Sequence, residues 1–219
     1  NYTIKMYPNT YASANGPWLS EWRYMSSSTA SLTGVQSFGD LGITSLNNAF
    51  RAAPGNFTIP NSIPSTVTRV QSMFQGAASF NQPLNSWNMS NVTDMSSMFR
   101  EAGSFNQELN SWDTSSVTTM YAMFQDASSF NQALDLWDIS NVTSIGRMFY
   151  GASSFNQALN SWDTSKVTNM SYMFYAATVF NQDLSSWCVS LIASRPTGFD
   201  SLTPDWVKVV RQPPWGSCF

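Results

Sequence analysis

The sequence predicts an α/β solenoid, with one short parallel strand and one short helix per 25-residue repeat and a cap at each end. Three observations predict it. The first is the repeat, which from Phe80 reads FNQPLNSWNMSNVTDMSSMFREAGS, FNQELNSWDTSSVTTMYAMFQDASS, FNQALDLWDISNVTSIGRMFYGASS and FNQALNSWDTSKVTNMSYMFYAATV. A partial copy, FNQDLSSWCVS, starts at Phe180. A constant period of this size marks an array in which each unit buries its apolar face only against its neighbours. The second observation is that Val92, Met95, Phe99 and Ala102 fall at i, i+3, i+7 and i+10, one face of a helix. The third is that Trp87 and Met89 stand two apart, the spacing of one strand face.

The helix is expected to be two to three turns long. Its face recurs as Val117, Met120, Phe124, Ala127; Val142, Ile145, Phe149, Ala152; and Val167, Met170, Phe174, Ala177. Met98, Met123, Met148 and Met173 widen the stripe. Ser90 or Thr93 caps its start, and Gly103 stands where a left-handed C-terminal residue belongs. The strand is expected over about Asn85–Ser90. Upstream, Thr66–Phe74 and Ile43–Phe50 read as two degenerate helix halves. The domain reading is then an N-terminal cap or assembly segment over 1–40, repeats over 41–190 (two degenerate, four intact, one partial), and a C-terminal cap over 191–219. Trp18, Trp22 and Tyr24 suit a cover for the first unit.

Composition narrows the function. Charged residues are 11% and the formal net charge is −3, with no Lys/Arg cluster to track phosphates, so nucleic acid is not an expected partner. No apolar run reaches the roughly 18 residues that a membrane span needs. No signal peptide is present, and a chain that starts at Asn1 without Met fits a processed form. Cys188 and Cys218 both lie near the C-terminal end, which reads as a disulfide clamp; in a reducing compartment the same pair would be two thiols. Secretion is the better reading. The candidate glycosylation sequons are then Asn1, Asn56, Asn88, Asn91, Asn141 and Asn169.

Stacking a constant period produces columns of equivalent positions. Trp87, Trp112, Trp137, Trp162 and Trp187 are read as core rather than as a sugar-stacking strip. Asn81, Asn106, Asn131, Asn156 and Asn181 are read as a hydrogen-bonding ladder for the turns. Asn88, Asp113, Asp138 and Asp163 are read as backbone caps or solvated groups, with calcium the minor alternative. Recognition is assigned to positions that vary between copies. The candidate binding surface is Arg100, Tyr121, Arg147, Tyr150, Tyr172 and Tyr175, an Arg/Tyr composition typical of protein interfaces. The chain contains no histidine, and its Asp residues recur with the repeat instead of forming a unique pair. No enzyme, cofactor or metal is therefore expected.

The unit V-T-x-M-x-x-M-F-x-x-A-x-S-F-N-Q-x-L-x-x-W-D-x-S resembles the repeat of BspA-like leucine-rich-repeat surface proteins, the DUF285 type, over about residues 43–190. The segment around Trp187–Ser190, Pro196–Phe199 and Trp215–Cys218 resembles the C-terminal cap of secreted members. The resemblance implies a right-handed, leucine-rich-repeat-like coil at the cell surface or outside the cell, used in adhesion or protein–protein contact, with no catalytic residues. Residues 1–40 and the unit around Phe57–Pro64 lie outside it. A non-enzymatic binding scaffold for protein or glycan is the expected function. The alternative is a self-associating protomer of an extracellular filament, with Tyr2, Ile4 and Met6 at strand alternation as its assembly segment.

Overall fold

In a computed structural model that describes residues 35, 37–38, 42–55, 57–203, 206 and 212–218, the 25-residue units lie one on the next. The α/β solenoid does not hold. Among the described residues there is no helix, and extended pairing is reduced to single parallel bridges: Ser45 to Arg69, Arg69 to Asp94, Asp94 to Thr119, Thr119 to Ser144, and Ser144 to Asn169. The right-handed leucine-rich-repeat-like coil, with its helix and strand in each unit, is corrected with it. The bridges fall inside the segment expected to be helical. Asn85–Ser90, expected to be a strand, is a turn region in which the Trp87 N–H donates to the Leu84 carbonyl at 3.0 Å.

The reason lies in how the backbone donors are shared out. In the copy with Met95, alternate N–H groups leave the unit: Met95 donates to Thr119 C=O, Ser97 to Tyr121, Phe99 to Met123 and Glu101 to Gln125, at 2.7–3.1 Å. The N–H groups between them close short turns, Met98 to Met95, Arg100 to Ser97 and Ala102 to Phe99, at 3.0–3.2 Å. A helix would spend every donor inside its own segment and leave none to tie one unit to the next. Val, Thr, Ser, Asn and Gly are also weak helix formers, and so short a helix is marginal.

A string of four-residue turns returns side chains to one side at nearly the helical interval, which is why the burial pattern mimics a helix. It requires a left-handed residue at every fourth position: Ser97 at φ 56° and Glu101 at 60°, then Ala122 and Asp126, Arg147 and Gly151, Tyr172 and Ala176. Gly103, the expected left-handed residue, is not among them.

The interior is a set of stacked rings. Phe74, Phe99, Phe124, Phe149 and Phe174 follow one another at 5.6–5.8 Å between centroids, nearly parallel. Phe80, Phe105, Phe130, Phe155 and Phe180 do the same at 5.9–6.0 Å. The two rows touch inside each unit, Phe99 lying 3.9 Å from Phe105. All ten rings are fully buried. Aromatic pairs of this kind add about 0.5–1.5 kcal/mol each beyond their buried area.

The C-terminal segment closes the stack. Tyr172, Phe174 and Ala176 donate their N–H groups to the carbonyls of Thr197, Phe199 and Ser201. Phe199 and Trp206 pack edge-on against Phe174. Asp200, fully buried, pairs with Arg195 and accepts from the Gln212 side-chain amide. Cys188 and Cys218, 30 residues apart, are disulfide-bonded beside the Val189 N–H to Ser217 C=O hydrogen bond. Among the described residues no helix is long and apolar enough to cross a membrane.

Candidate functional site

The constant columns are consumed by the stack itself. Each indole of the Trp column is buried, and its Nε1–H donates to a carbonyl of the preceding unit: Trp87 to Pro60, Trp112 to Leu84, Trp137 to Leu109, Trp162 to Leu134 and Trp187 to Leu159, at 2.8–2.9 Å. Oδ1 of Asn81, Asn106, Asn131 and Asn156 accepts both a backbone N–H and a Gln side-chain amide from the next unit, as at Asn106, which takes Asn131 N–H at 2.9 Å and Gln132 Nε2 at 3.0 Å. No free sugar-stacking strip or open amide row remains in either column.

The Asp column caps its own turns. Oδ1 of Asn88, Asp113, Asp138 and Asp163 accepts the N–H of the residue two further on, Ser90, Ser115, Ser140 and Ser165, at 2.9–3.1 Å. The Ser115 hydroxyl, and then its N–H, hold the Asp113 carboxyl below the usual aspartate range. Ser165 does the same for Asp163, first through its hydroxyl and then its N–H, with Lys166 adding a smaller electrostatic pull. Among the described residues no three acidic, thiol or imidazole groups converge as a metal site.

The variable positions behave differently. Equivalent positions run Ser72, Ser97, Ala122, Arg147, Tyr172 and, beside them, Gln75, Arg100, Gln125, Tyr150, Tyr175. The two columns are large together only in two consecutive units. There the side chains meet: Tyr150 stacks on Tyr175 at 4.8 Å and 13°, and Tyr172 meets Tyr175 edge-on at 5.9 Å. The Arg147 guanidinium lies 5.8 Å from the Tyr150 ring centre and 5.1 Å from that of Tyr172. All four are half-exposed.

The structure does not bring in the other two candidates. Arg100 is paired with Glu101 at 3.0 Å. Tyr121 is 38% exposed in another column, where the next unit has Gly146. Gly198, which the variable columns did not flag, seats the patch: a Cβ there would run into the Tyr172 ring.

The sequons divide by environment. Asn88, Asn91 and Asn141 are exposed, whereas Asn169 is half-buried in the bridge ladder, its amide donating to Ser144 Oγ and its Oδ1 accepting Ser171 N–H. Asn1 and Asn56 lie outside the described residues, as do Tyr2, Ile4 and Met6. A further feature that pattern reading missed is a shallow polar groove lined by Asn85, Glu108, Asn110, Ser111, Gln132 and Ala133. Beside it Leu136, 72% exposed, stands where the other four copies place serine.

No curated protein and no solved structure matches the chain. The family described as "Mycoplasma protein of unknown function, DUF285" matches residues 44–152 and 131–203, which together take in well over half of the sequence. Repeat, core and match coincide over the same residues, and the chain belongs to the DUF285 family.

Proposed function

We propose that the chain is a non-enzymatic, extracellular or cell-surface repeat scaffold that makes adhesive contacts with protein or glycan through one of its faces. One observation carries this reading. Side chains in the constant columns are spent on core and turns, while four of the varying positions gather into one half-exposed Arg/Tyr cluster, the composition that dominates binding energy at interfaces.

The Cys188–Cys218 disulfide supports an oxidising location. The resemblance of the repeat to that of BspA-like leucine-rich-repeat surface proteins supports a surface role, although DUF285 membership itself names no activity. The absence of histidine from the sequence supports a non-catalytic reading. The test is a broad glycan array together with a cell-binding assay on the purified chain. Binding in either supports the scaffold; a blank in both overturns it.

A second reading, a self-associating filament protomer, has one observation of its own. Val179, Leu191 and Leu202 are 41%, 56% and 63% exposed near the C-terminal end of the stack. Earlier copies place Ser104, Ser129 and Ser154 in the Val179 column, and Asn91, Ser116, Asn141 and Lys166 in the Leu191 column. Light scattering at increasing concentration decides it. Growth in mass supports the protomer, and a monomer throughout, unaltered by deleting residues 1–13, removes it.

A further inference from the structure

We propose that Arg147, Tyr150, Tyr172 and Tyr175 form a preassembled docking patch for a protein segment that presents a carboxylate, with Arg147 as the ion-pair anchor. The inference rests on the scaffold reading above and names the partner of that surface. Three observations converge on it.

The first is backbone strain. Arg147 and Tyr172 hold φ of 56° and 58°, in the left-handed region that favours glycine. Ser72, Ser97 and Ala122 occupy this column elsewhere. Every residue with a Cβ in this column carries that strain, as Ser97 and Ala122 do. What sets Arg147 and Tyr172 apart is that the long side chains placed on this strained column stay half-exposed and are not packed into the core.

The second is charge. The column next to the patch runs Gly76, Glu101, Asp126, Gly151, Ala176. Acids occupy the two units that precede the cluster, and Glu101 neutralises Arg100. In the unit of Arg147 the acid is replaced by Gly151, and among the described residues no carboxylate lies within ion-pair distance of Arg147. A guanidinium laid over a ring keeps its in-plane N–H fork free, the geometry that receives a carboxylate in two hydrogen bonds.

The third separates protein from glycan. A sugar stacks on an open ring face. Here Tyr150 is covered by Tyr175 and approached by the Arg147 guanidinium, and the Tyr172 ring lies against Gly198 and the same guanidinium. What the packing around Arg147 holds ready for a partner is the guanidinium fork and the phenol groups beside it, so little side-chain entropy is lost on contact. An acidic protein segment uses such groups.

The experiment pans a random linear peptide display library on the whole immobilised chain, then measures the selected peptides in solution. Selected peptides are expected to carry Asp or Glu and to weaken as salt is raised. Arg147→Gln should cost at least about tenfold in affinity, as truncation of an interface anchor does, and Arg100→Gln should cost nothing. Arg147→Gly should bind as poorly as Arg147→Gln yet melt about 2–4 °C higher, because it relieves the left-handed strain. That opposite movement separates loss of a contact from loss of the fold.

Selection of acid-free peptides, or unchanged binding by Arg147→Gln, overturns the proposal while leaving the scaffold reading standing. Sialylated or uronic-acid glycans bound through Arg147 in place of acidic peptides overturn it in favour of a glycan partner. Silence from peptides, glycans and cells together removes both readings.

Discussion

In the half-unit from Phe105 to Val117 it is side chains that reach the neighbouring unit, whereas from Met120 to Ala127 it is the backbone. In the first half Gln107 Nε2, Ser111 Oγ, Trp112 Nε1 and Ser116 Oγ donate to Asn81 Oδ1 and to the carbonyls of Asn85, Leu84 and Ser90. In the second, the N–H groups of Met120, Ala122, Phe124 and Asp126 donate to the carbonyls of Ser144, Gly146, Met148 and Tyr150. Every residue has a backbone, so the second kind of tie places no demand on outward side chains. That is why Phe-Asn-Gln and Trp repeat almost without change while 121, 122, 125 and 126 differ from copy to copy. Side-chain ties bind the sequence to the fold; backbone ties release it for recognition.

The largest test of that contrast is Trp137→Ala in the middle of the stack. It empties a buried site and strips the Leu109 carbonyl of its donor, and the unfolding free energy from a urea titration should drop by about 3–5 kcal/mol. Asn131→Ala should follow at about 1–2 kcal/mol, because Asn156 N–H loses its acceptor and Gln157 Nε2 loses one of its two. Tyr121→Ser, which installs in the backbone-tied half the residue that the preceding copy has there as Ser96, should stay within about 0.5 kcal/mol. Equal losses for Asn131→Ala and Tyr121→Ser would break the comparison.

The backbone-tied half has its own demand, which is conformational. Ala176 and Gly151 occupy one left-handed column at φ 55° and 65°. Ala176→Gly should raise stability by about 0.5–1 kcal/mol in the same titration. Gly151→Ala should lower it by more than about 1 kcal/mol, since the added Cβ is strained and meets Asp126 Oδ1. If the two changes moved stability in the same direction, the alternating-turn backbone would not be what ties these units.

The sequence showed the period, the inward residues and the structural use of the Trp and Asn columns. It did not show the secondary structure. Val92, Met95, Phe99 and Ala102 face inward as a helix would place them, but burial at i, i+3 and i+7 records only where side chains go. Where N–H groups go is a separate matter, and a residue at φ 56° such as Ser97 leaves no mark in a hydrophobic pattern. The candidate site was half legible for the same reason. Variation between copies picked out six partly exposed residues, yet only the three-dimensional stacking joins Arg147, Tyr150, Tyr172 and Tyr175 and leaves Arg100 to Glu101.

The smallest expected effect concerns acid. Asp113 and Asp163 have carboxyls held below their ordinary value by Ser115 and Ser165. A lowered folded value means that the charged form is the one the fold favours. The contribution is complete above the unfolded aspartate value of about 3.9 and disappears as pH falls through the lower, folded value. Both groups are exposed, so solvent screening holds the effect to a few tenths of a kcal/mol. Asn88 stands in the same column and accepts Ser90 N–H through an amide oxygen that does not titrate in this range. The double variant Asp113→Asn, Asp163→Asn should therefore melt close to the parent at pH 7 and lose slightly less than the parent between pH 5 and 2. A steeper acid loss in the variant would mean that these carboxylates do not act as caps of the side-chain-tied half.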